Sequence, residues 1–262
     1  MLISRLAGGL GNQLFQWAIA EASAARNDTE FSLDLSFYKT QSWRAFQLNE
    51  FKNIKFINPN EIDFKNKNVF FLPEDLSNED IIPISYEKNE IVIIQGYWQS
   101  EKYFKDQELL IKEKLKIDES FKQDLLNKYP VLKEQTISIH IRRTDYIQLS
   151  HYHANQTLSY YDDALEILNK NNAKLVILSD DIQWCKENLK YKNTTFIENN
   201  TPFEDLYIMS LCKDNIIANS TFSWWAAWIN ENEYKKVIAP KNWFTNSNLN
   251  TKNLIPEQWI KI

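Results

Sequence analysis

Glycine is nearly absent from this chain: four occur in 262 residues, and three of them fall in one stretch, GGLGN at residues 8–12. Glycine serves where the backbone takes positive φ or presses close to another group, and elsewhere it weakens helices and strands. Its concentration there marks a turn or a ligand approach. Cysteine is as scarce. Cys185 and Cys212 supply neither a disulfide framework nor the ligands of a thiolate metal site, and they suit a reducing compartment, so the expected location is cytoplasmic. A basic excess is missing too: the net charge of −5 argues against nucleic acid as a partner and confines any phosphate contact to a local site. No apolar run approaches the ~18 residues of a membrane span, and MLISRLAG at the N-terminus is too short an apolar stretch for a signal peptide. Peripheral association with the inner face of a membrane stays open, as does the oligomeric state. The absence of solenoid-length repeats, of a GxSxG elbow and of a Walker lysine motif removes the solenoid, α/β-hydrolase and P-loop readings.

What is present is core-forming material, 44% hydrophobic and 14% aromatic residues. Strand-length apolar runs (LISRLA, EFSLDL, IKFI, NVFFL and IVIIQGYW, then TISIHI, KLVILSD, DNIIANS and KKVIAP) alternate with helical patterns. That alternation is the mark of an α/β architecture with parallel sheets. A polar helical stretch separates the two sets and is broken by Pro130, which places a domain boundary between residues 130 and 131 and gives two Rossmann-like halves, 1–130 and 131–262.

At the front, residues 2–7 read as a strand, 8–12 as a tight turn and 13–25 as a helix with Leu14, Ala18, Ala22 and Ala25 roughly on one face. As a dinucleotide fingerprint, Gly9-x-Gly11-x-x-Leu14 lacks the third glycine, although Asp34 follows the next strand at the distance of a ribose-binding acid. A turn that merely needs positive φ is an equal reading. In TISIHIRRTDY, residues 136–146, alternation puts Ile137, Ile139 and Ile141 on one face and Ser138, His140 and Arg142 on the other. Ligands of α/β sheets bind beyond the carboxyl ends of strands, where the twin arginines fall, and a guanidinium matches a phosphate bidentately. For Arg143 a surface ion pair with Asp145 is the plainer expectation.

Asp180 and Asp181 end another strand. Asp180-x-x-Gln183 fits a capping box for the following helix, with a ribose or positioning role for Asp180 or Asp181 the minority reading and a divalent metal disfavoured because no third hard ligand is near. Thr201-Pro202-Phe203-Glu204 combines an N-cap, a proline at the first helical position and the acid that completes a capping box, for a helix running to about Lys213. After the strand that begins at Asn215 comes NSTFSWW, residues 219–225, where hydroxyls lead into a helix N-terminus and make an anion site, unless Ser220 or Thr221 is a plain cap. Trp224, Trp225 and Trp228 offer a sugar platform, but tryptophans at helical spacing read more readily as core. His151 and His153 lack a third ligand, so no metal is expected there.

Taken in order, GGLGNQLFQ, IQGYWQSEKYF (94–104), HIRRTDY (140–146), VILSDD (176–181) and NIIANSTFSWWAAWIN (215–230) resemble the α-1,2-fucosyltransferases, glycosyltransferase family 11, over nearly the whole chain. Asp214 departs from that pattern, because family members often carry histidine before the NIIANS strand. The resemblance implies a GT-B fold, with two Rossmann-like domains facing across a donor and acceptor cleft. It implies GDP-fucose as donor, a galactose-containing glycan as acceptor, inversion at the anomeric carbon, and no metal or other cofactor. It further implies that Arg142 binds the β-phosphate with Arg143 as helper, that His140 contacts the nucleoside, and that Asp205 recognises guanine. Ser220, Thr221 and Ser223 would form a hydroxyl loop at the diphosphate, and Gly9, Gly11 and Asn12 the glycine loop that closes over it. Charge building on a departing β-phosphate requires such donors. A proton acceptor is also needed, and Asp145 is the candidate unless it only orients the arginines. The alternatives are a GDP-fucose transferase of another linkage, α-1,6 or to a protein hydroxyl, a non-catalytic carbohydrate-binding protein, and a nucleotide-dependent oxidoreductase. Loops at residues 58–88 and 149–156 are expected to shape the acceptor pocket.

Overall fold

The computed structural model describes the chain except for residues 42, 76–80, 149–150, 153, 169–172 and 247–250. His153 and parts of both loops expected at the acceptor therefore lie outside the described residues. Parallel strands need crossovers of a dozen or more residues, and helices fill most of them. In chain order the elements are β1 (Leu2–Arg5), α1 (Leu10–Arg26), β2 (Phe31–Asp34), α2 (Ser36–Thr40), β3 (Asn68–Pro73), β4 (Glu90–Gln95), α3 (Glu108–Lys114) and α4 (Glu119–Lys128). They continue with β5 (Thr136–Ile141), α5 (Thr144–Gln148), α6 (Leu158–Leu168), β6 (Lys174–Ser179), α7 (Ile182–Asn188), β7 (Thr194–Phe196), α8 (Pro202–Leu211), β8 (Asp214–Ile216), α9 (Thr221–Ile229), β9 (Val237–Ala239) and β10 (Ile260–Lys261). Two parallel sheets result, ordered β2-β1-β4-β3 and β10-β9-β8-β5-β6-β7. The α/β expectation holds. IKFI, expected as a strand, makes only a bridge from Ile57 to Ser32, and β7 and β10 are too short for alternation to reveal them.

The chain divides into two compact units, Met1–Lys116 with Lys252–Pro256, and Ile117–Thr251 with Glu257–Ile262. Against the expected boundary at 130/131, α4 goes with the second unit. Its Phe121 packs 5.2 Å from the ring of Phe203 and 6.1 Å from that of Tyr207, and Lys128 pairs with Glu204 at 3.0 Å. Pro130 does end the helix, but apolar packing onto α8 decides which core the helix joins.

In the second unit β5 is central and buried throughout. Ile137, Ile139 and Ile141 pack with Tyr160, Tyr161, Ala164, Leu168 and Cys185 of α6 and α7. Each such isoleucine contributes roughly 1.5–3 kcal/mol of burial. The opposite parity faces polar partners: Ser138 Oγ accepts from Asn215 Nδ2 (2.7 Å), and Asn215 Oδ1 accepts from Asn230 Nδ2 (2.8 Å). α9 is apolar all round because it is buried: Trp224, Trp225 and Trp228 form core with Trp259, as helical spacing suggested. Lys235 closes its carboxyl end by donating to the carbonyls of Ala227, Trp228 and Asn230.

In the first unit α1 begins at Leu10, so the expected turn is shorter than GGLGN and Gly11 already lies inside the helix. Of the loop's glycines Gly8 alone takes positive φ, +83°, and its carbonyl accepts from Gln13 Nε2 (3.1 Å) and Tyr38 Oη (3.1 Å). Gly9 is the N-cap at φ −83°. Two buried glutamines hold the turn. Gln13 also donates to Ala45 O and accepts from Gln47 N, while Gln16 accepts from Ala7 N and donates to Gly96 O. Gly96, the fourth glycine, sits where a Cβ would collide with Glu74. The two neighbouring loop glycines therefore respond differently to alanine. Gly8→Ala forces a side chain into left-handed backbone and within 2.6 Å of Asn12 Nδ2, and should cost about 1–2 kcal/mol. A Cβ on Gly9 meets nothing within 4 Å, so Gly9→Ala should cost under about 1 kcal/mol. Denaturant unfolding of both variants checks the order; equal losses would contradict it.

Candidate active site

Because β8, β5 and β6 are neighbours in one parallel sheet, the loops that leave their carboxyl ends share a rim. β5 delivers His140, Arg142 and Arg143, β6 delivers Asp180 and Asp181, and the turn after β8 delivers residues 219–223 at the start of α9. Tyr146 on α5 ties two of these loops together by donating from Oη to Asn219 O at 2.9 Å. His140 is buried, and its ring lies 5.7 Å from that of Phe222.

The arginines diverge. Arg142 forms a bidentate pair with Asp145, Nε to Oδ1 at 2.9 Å and Nη2 to Oδ2 at 2.7 Å, and its Nε is 3.2 Å from Asp180. The expected pairing of Arg143 with Asp145 is thus corrected to Arg142 with Asp145. α5 starts at Thr144, so residue 145 turns back toward the position three before it, whereas residues two apart do not face each other on a helix. Arg143 instead pairs with Asp181 at 3.1 Å, with its guanidinium carbon 3.6 Å from the centre of the Trp184 ring. Arg142 Nη1 hydrogen-bonds none of the described residues, and the guanidinium carbon lies 5.5 Å from the centre of the Tyr146 ring.

Asp180 does not open α7; Asp181 is its N-cap, accepting from Trp184 N at 3.3 Å, which corrects the expected Asp180 capping box. Asp180 reaches sideways to the start of α5. It accepts from Arg143 N (2.9 Å), Thr144 N (3.2 Å) and Thr144 Oγ1 (2.5 Å). At α8 the Thr201–Glu204 capping box forms as read. Asp205 follows it, accepts from Asn200 Nδ2 at 3.1 Å, and has its carboxyl pushed up to about 6 by burial, against the effect of that hydrogen bond. Ser220 is the N-cap of α9 but makes no side-chain cap bond, and the buried Ser223 Oγ donates back to Ser220 O at 3.3 Å.

A family model described as glycosyl transferase family 11 matches residues 4–262. The chain belongs to that family. It is similar to the α-1,2-colitosyltransferase of Escherichia coli, 32% identical over 294 residues that span 100% of this chain and 99% of that one. The O-antigen biosynthesis glycosyltransferase WbnK of Escherichia coli is 31% identical over 310 residues, with both chains fully covered. Among solved structures, the α-1,6-fucosyltransferase NodZ co-crystallised with GDP has a TM-score of 0.53 at 16% identity over 86% of this chain and 90% of that one. That likeness is one of fold, GT-B-type α/β.

For this family 11 glycosyltransferase the second unit gathers His140, Arg142, Arg143, Asp145, Ser220, Thr221 and Ser223 on strand ends at one rim, with Asp205 in the first turn of α8. Gly9, Gly11 and Asn12 belong to the first unit. Asp214, the departure from the family pattern, is buried at the opposite, amino end of β8 and braces Lys236 N at 2.8 Å. Tyr146 and Trp184 had no sequence signal, because each acts on a residue that only the sheet order brings near; for Asp180 the sequence offered a positioning role as the minority reading, without the partners it takes at the start of α5. Among the described residues no cluster of three or more His, Cys, Asp or Glu is placed to hold a metal, and no helix is long and apolar enough to cross a membrane.

Burial, with the Arg142 charge beside it, lowers the His140 imidazole to about 4, against about 6.5 in an unfolded chain. As pH falls from 6.5 the unfolded state takes up this proton first, so stability intact above 6.5 is lost on the way to 4, at no more than about 1.4 kcal/mol per pH unit. His140→Phe lacks the group. Its unfolding midpoint should fall less steeply than wild type across that window, and parallel slopes would refute the buried neutral imidazole.

Proposed function

We propose that the protein transfers L-fucose from GDP-β-L-fucose to the 2-hydroxyl of a galactose-containing glycan, with inversion. One observation carries this reading: Arg142 is fixed at a strand's carboxyl end by Asp145 and Asp180 with Nη1 unengaged by the described residues. The acceptor oxygen attacks the anomeric carbon from the face opposite GDP, and the negative charge that develops on the β-phosphate is met by a preorganised guanidinium and by the uncapped amino end of α9. Arg143, whose charge is shared with Asp181 and Trp184, is the helper. His140 supports the nucleoside contact, since its buried Nδ1 has no hydrogen-bond partner among the described residues and buried ring nitrogens are normally paired. Asp145 spends both oxygens on Arg142, which favours orienting that arginine over abstracting a proton.

The α-1,2 linkage draws support from the colitosyltransferase, and a guanine donor from the NodZ complex with GDP. A second reading, a related GDP-deoxyhexose such as a colitose donor, is favoured by 32% identity along the whole colitosyltransferase. Metal independence is part of the proposal because Asp145, Asp180 and Asp181 are already committed to guanidinium and amide partners.

The deciding experiment offers GDP-fucose and GDP-colitose to the enzyme with a panel of galactosides, with EDTA present, and determines product linkage by NMR; α-1,2-fucosyl galactosides are expected, and no transfer to galactosides from either donor would end the proposal. Arg142→Ala should lower kcat about 10²- to 10³-fold, with Arg142→Lys recovering part of it because the charge remains and the fork does not. Arg143→Ala should lose roughly tenfold or less; the reverse ranking would exchange the two roles. Guanine recognition by Asp205 needs its carboxylate, so GDP affinity should weaken as pH falls through about 6, and Asp205→Asn should bind GDP weakly at every pH. Calorimetry from pH 5 to 8 reads both.

A further inference from the structure

The two edges of the first unit's sheet differ. At β2 the side chains of Phe31 and Leu33 are buried, whereas at β3 all six residues are exposed, Val69 by 49%, Phe70 by 49%, Phe71 by 54% and Leu72 by 40%. Consecutive strand residues point to opposite faces, so side chains on both faces of β3 are exposed, Phe71 with the Arg5 guanidinium 5.3 Å from its ring, and among the described residues no strand pairs with the outer edge. An exposed apolar edge strand is a template for pairing with another strand.

That edge has a definite hydrogen-bonding parity. Asn68 N and Glu74 N donate to the carbonyls of Asn89 and Gln95 beside β4, so the even positions face β4 and Val69 and Phe71 turn N–H and C=O outward. Pro73 is the next outward position and has no N–H. Charge is also ordered along the segment: Lys65 and Lys67 precede the strand, Glu74 and Asp75 follow it, and the two lysines and Asp75 are exposed. A strand basic at one end and acidic at the other complements itself only when antiparallel.

We propose that β3 pairs antiparallel with β3 of a second copy of this chain, about a twofold axis at Phe70, and joins two sheets into one. In that register Val69 N–H donates to the carbonyl of the partner's Phe71, and Phe71 N–H to the carbonyl of the partner's Val69, so every outward amide of the strand is used. Centring the pair on Phe71 instead would set the Val69 carbonyl opposite a proline. Phe70 meets the partner's Phe70 as a non-hydrogen-bonded pair, the closer kind, in which aromatic side chains interact across strands. The basic end of each strand lies against the acidic end of the other. The interface is isologous and therefore closes as a dimer. It stands on the first unit alone, so it is independent of the donor chemistry.

Both native cysteines are buried, which makes an introduced surface thiol a specific probe. Facing positions of a non-hydrogen-bonded pair have Cα atoms about 4.5 Å apart, within disulfide range, so Phe70→Cys should cross-link to a dimer under mild oxidation. Phe71→Cys, set diagonally about 7–8 Å from its own copy, should cross-link poorly. Light scattering should give twice the chain mass for wild type and the single-chain mass for Phe70→Lys with unchanged circular dichroism. Lys65→Glu, whose position faces Asp75 in this register, should weaken the dimer, and adding Asp75→Lys to it should restore part of the loss. Wild type at single-chain mass at tens of micromolar, with no Phe70→Cys cross-link, would overturn the proposal. Better cross-linking by Phe71→Cys would overturn the register, and a monomer that sediments with anionic vesicles through β3 would assign the surface to lipid instead.

Discussion

Where α5 begins is set by a carboxylate outside it. Asp180, at the end of β6, accepts the amides of Arg143 and Thr144 and the Thr144 hydroxyl, supplying the N-terminal donors of that short helix with the acceptor they lack. Once the helix starts at Thr144, its phase turns Asp145 back onto Arg142 and leaves Arg143 pointing the other way, onto Asp181 and Trp184. The Arg142–Asp145 pair is about a quarter to a third exposed, so it adds no more than about 1 kcal/mol to stability. Its consequence is geometric: a fork already held in one orientation has little conformational entropy left to lose.

Beneath that rim lies a layer of amides that tolerates little adjustment. Asn215 joins Ser138 of β5 to Asn230 beyond α9 and also donates to Met209 O, and Asn219 donates to the carbonyls of Ala154 and Trp243. Buried and satisfied, such groups fix one arrangement of neighbouring loops, because any slip would orphan a donor at a cost of about 1–3 kcal/mol. The tryptophans of α9 fill the space behind it, so the turn that carries Ser220 and Thr221 is anchored from within rather than by a cap of its own.

The first unit spends its glycines on backbone. Gly8 relieves a left-handed turn and Gly96 a close approach to Glu74, while the carbonyls of both are claimed by Gln13 and Gln16 of α1. Glu74 in turn accepts the amides of Tyr97 and Trp98, the latter at φ +54°. The glycine and IQGYWQ segments are therefore one construction, linked again by Gln99 Nε2 donating to Asn12 Oδ1 at 3.0 Å.

What the sequence determined by itself is local or collective: the alternation that makes two parallel sheets, the split of β5 into an isoleucine face and a polar face, the Thr201–Glu204 capping box, the core role of the α9 tryptophans, and the ordered motifs of family 11. Each depends on neighbours a few residues apart or on a pattern summed over the whole chain. Tertiary structure alone decided which carboxylate meets which arginine, that Asp180 serves α5 while Asp181 caps α7, that α4 joins the second core, and that only Gly8 of the opening loop needs positive φ. Those outcomes turn on strand order and on the starting phase of short helices, and a shift of one residue, invisible in composition or periodicity, exchanges the partners.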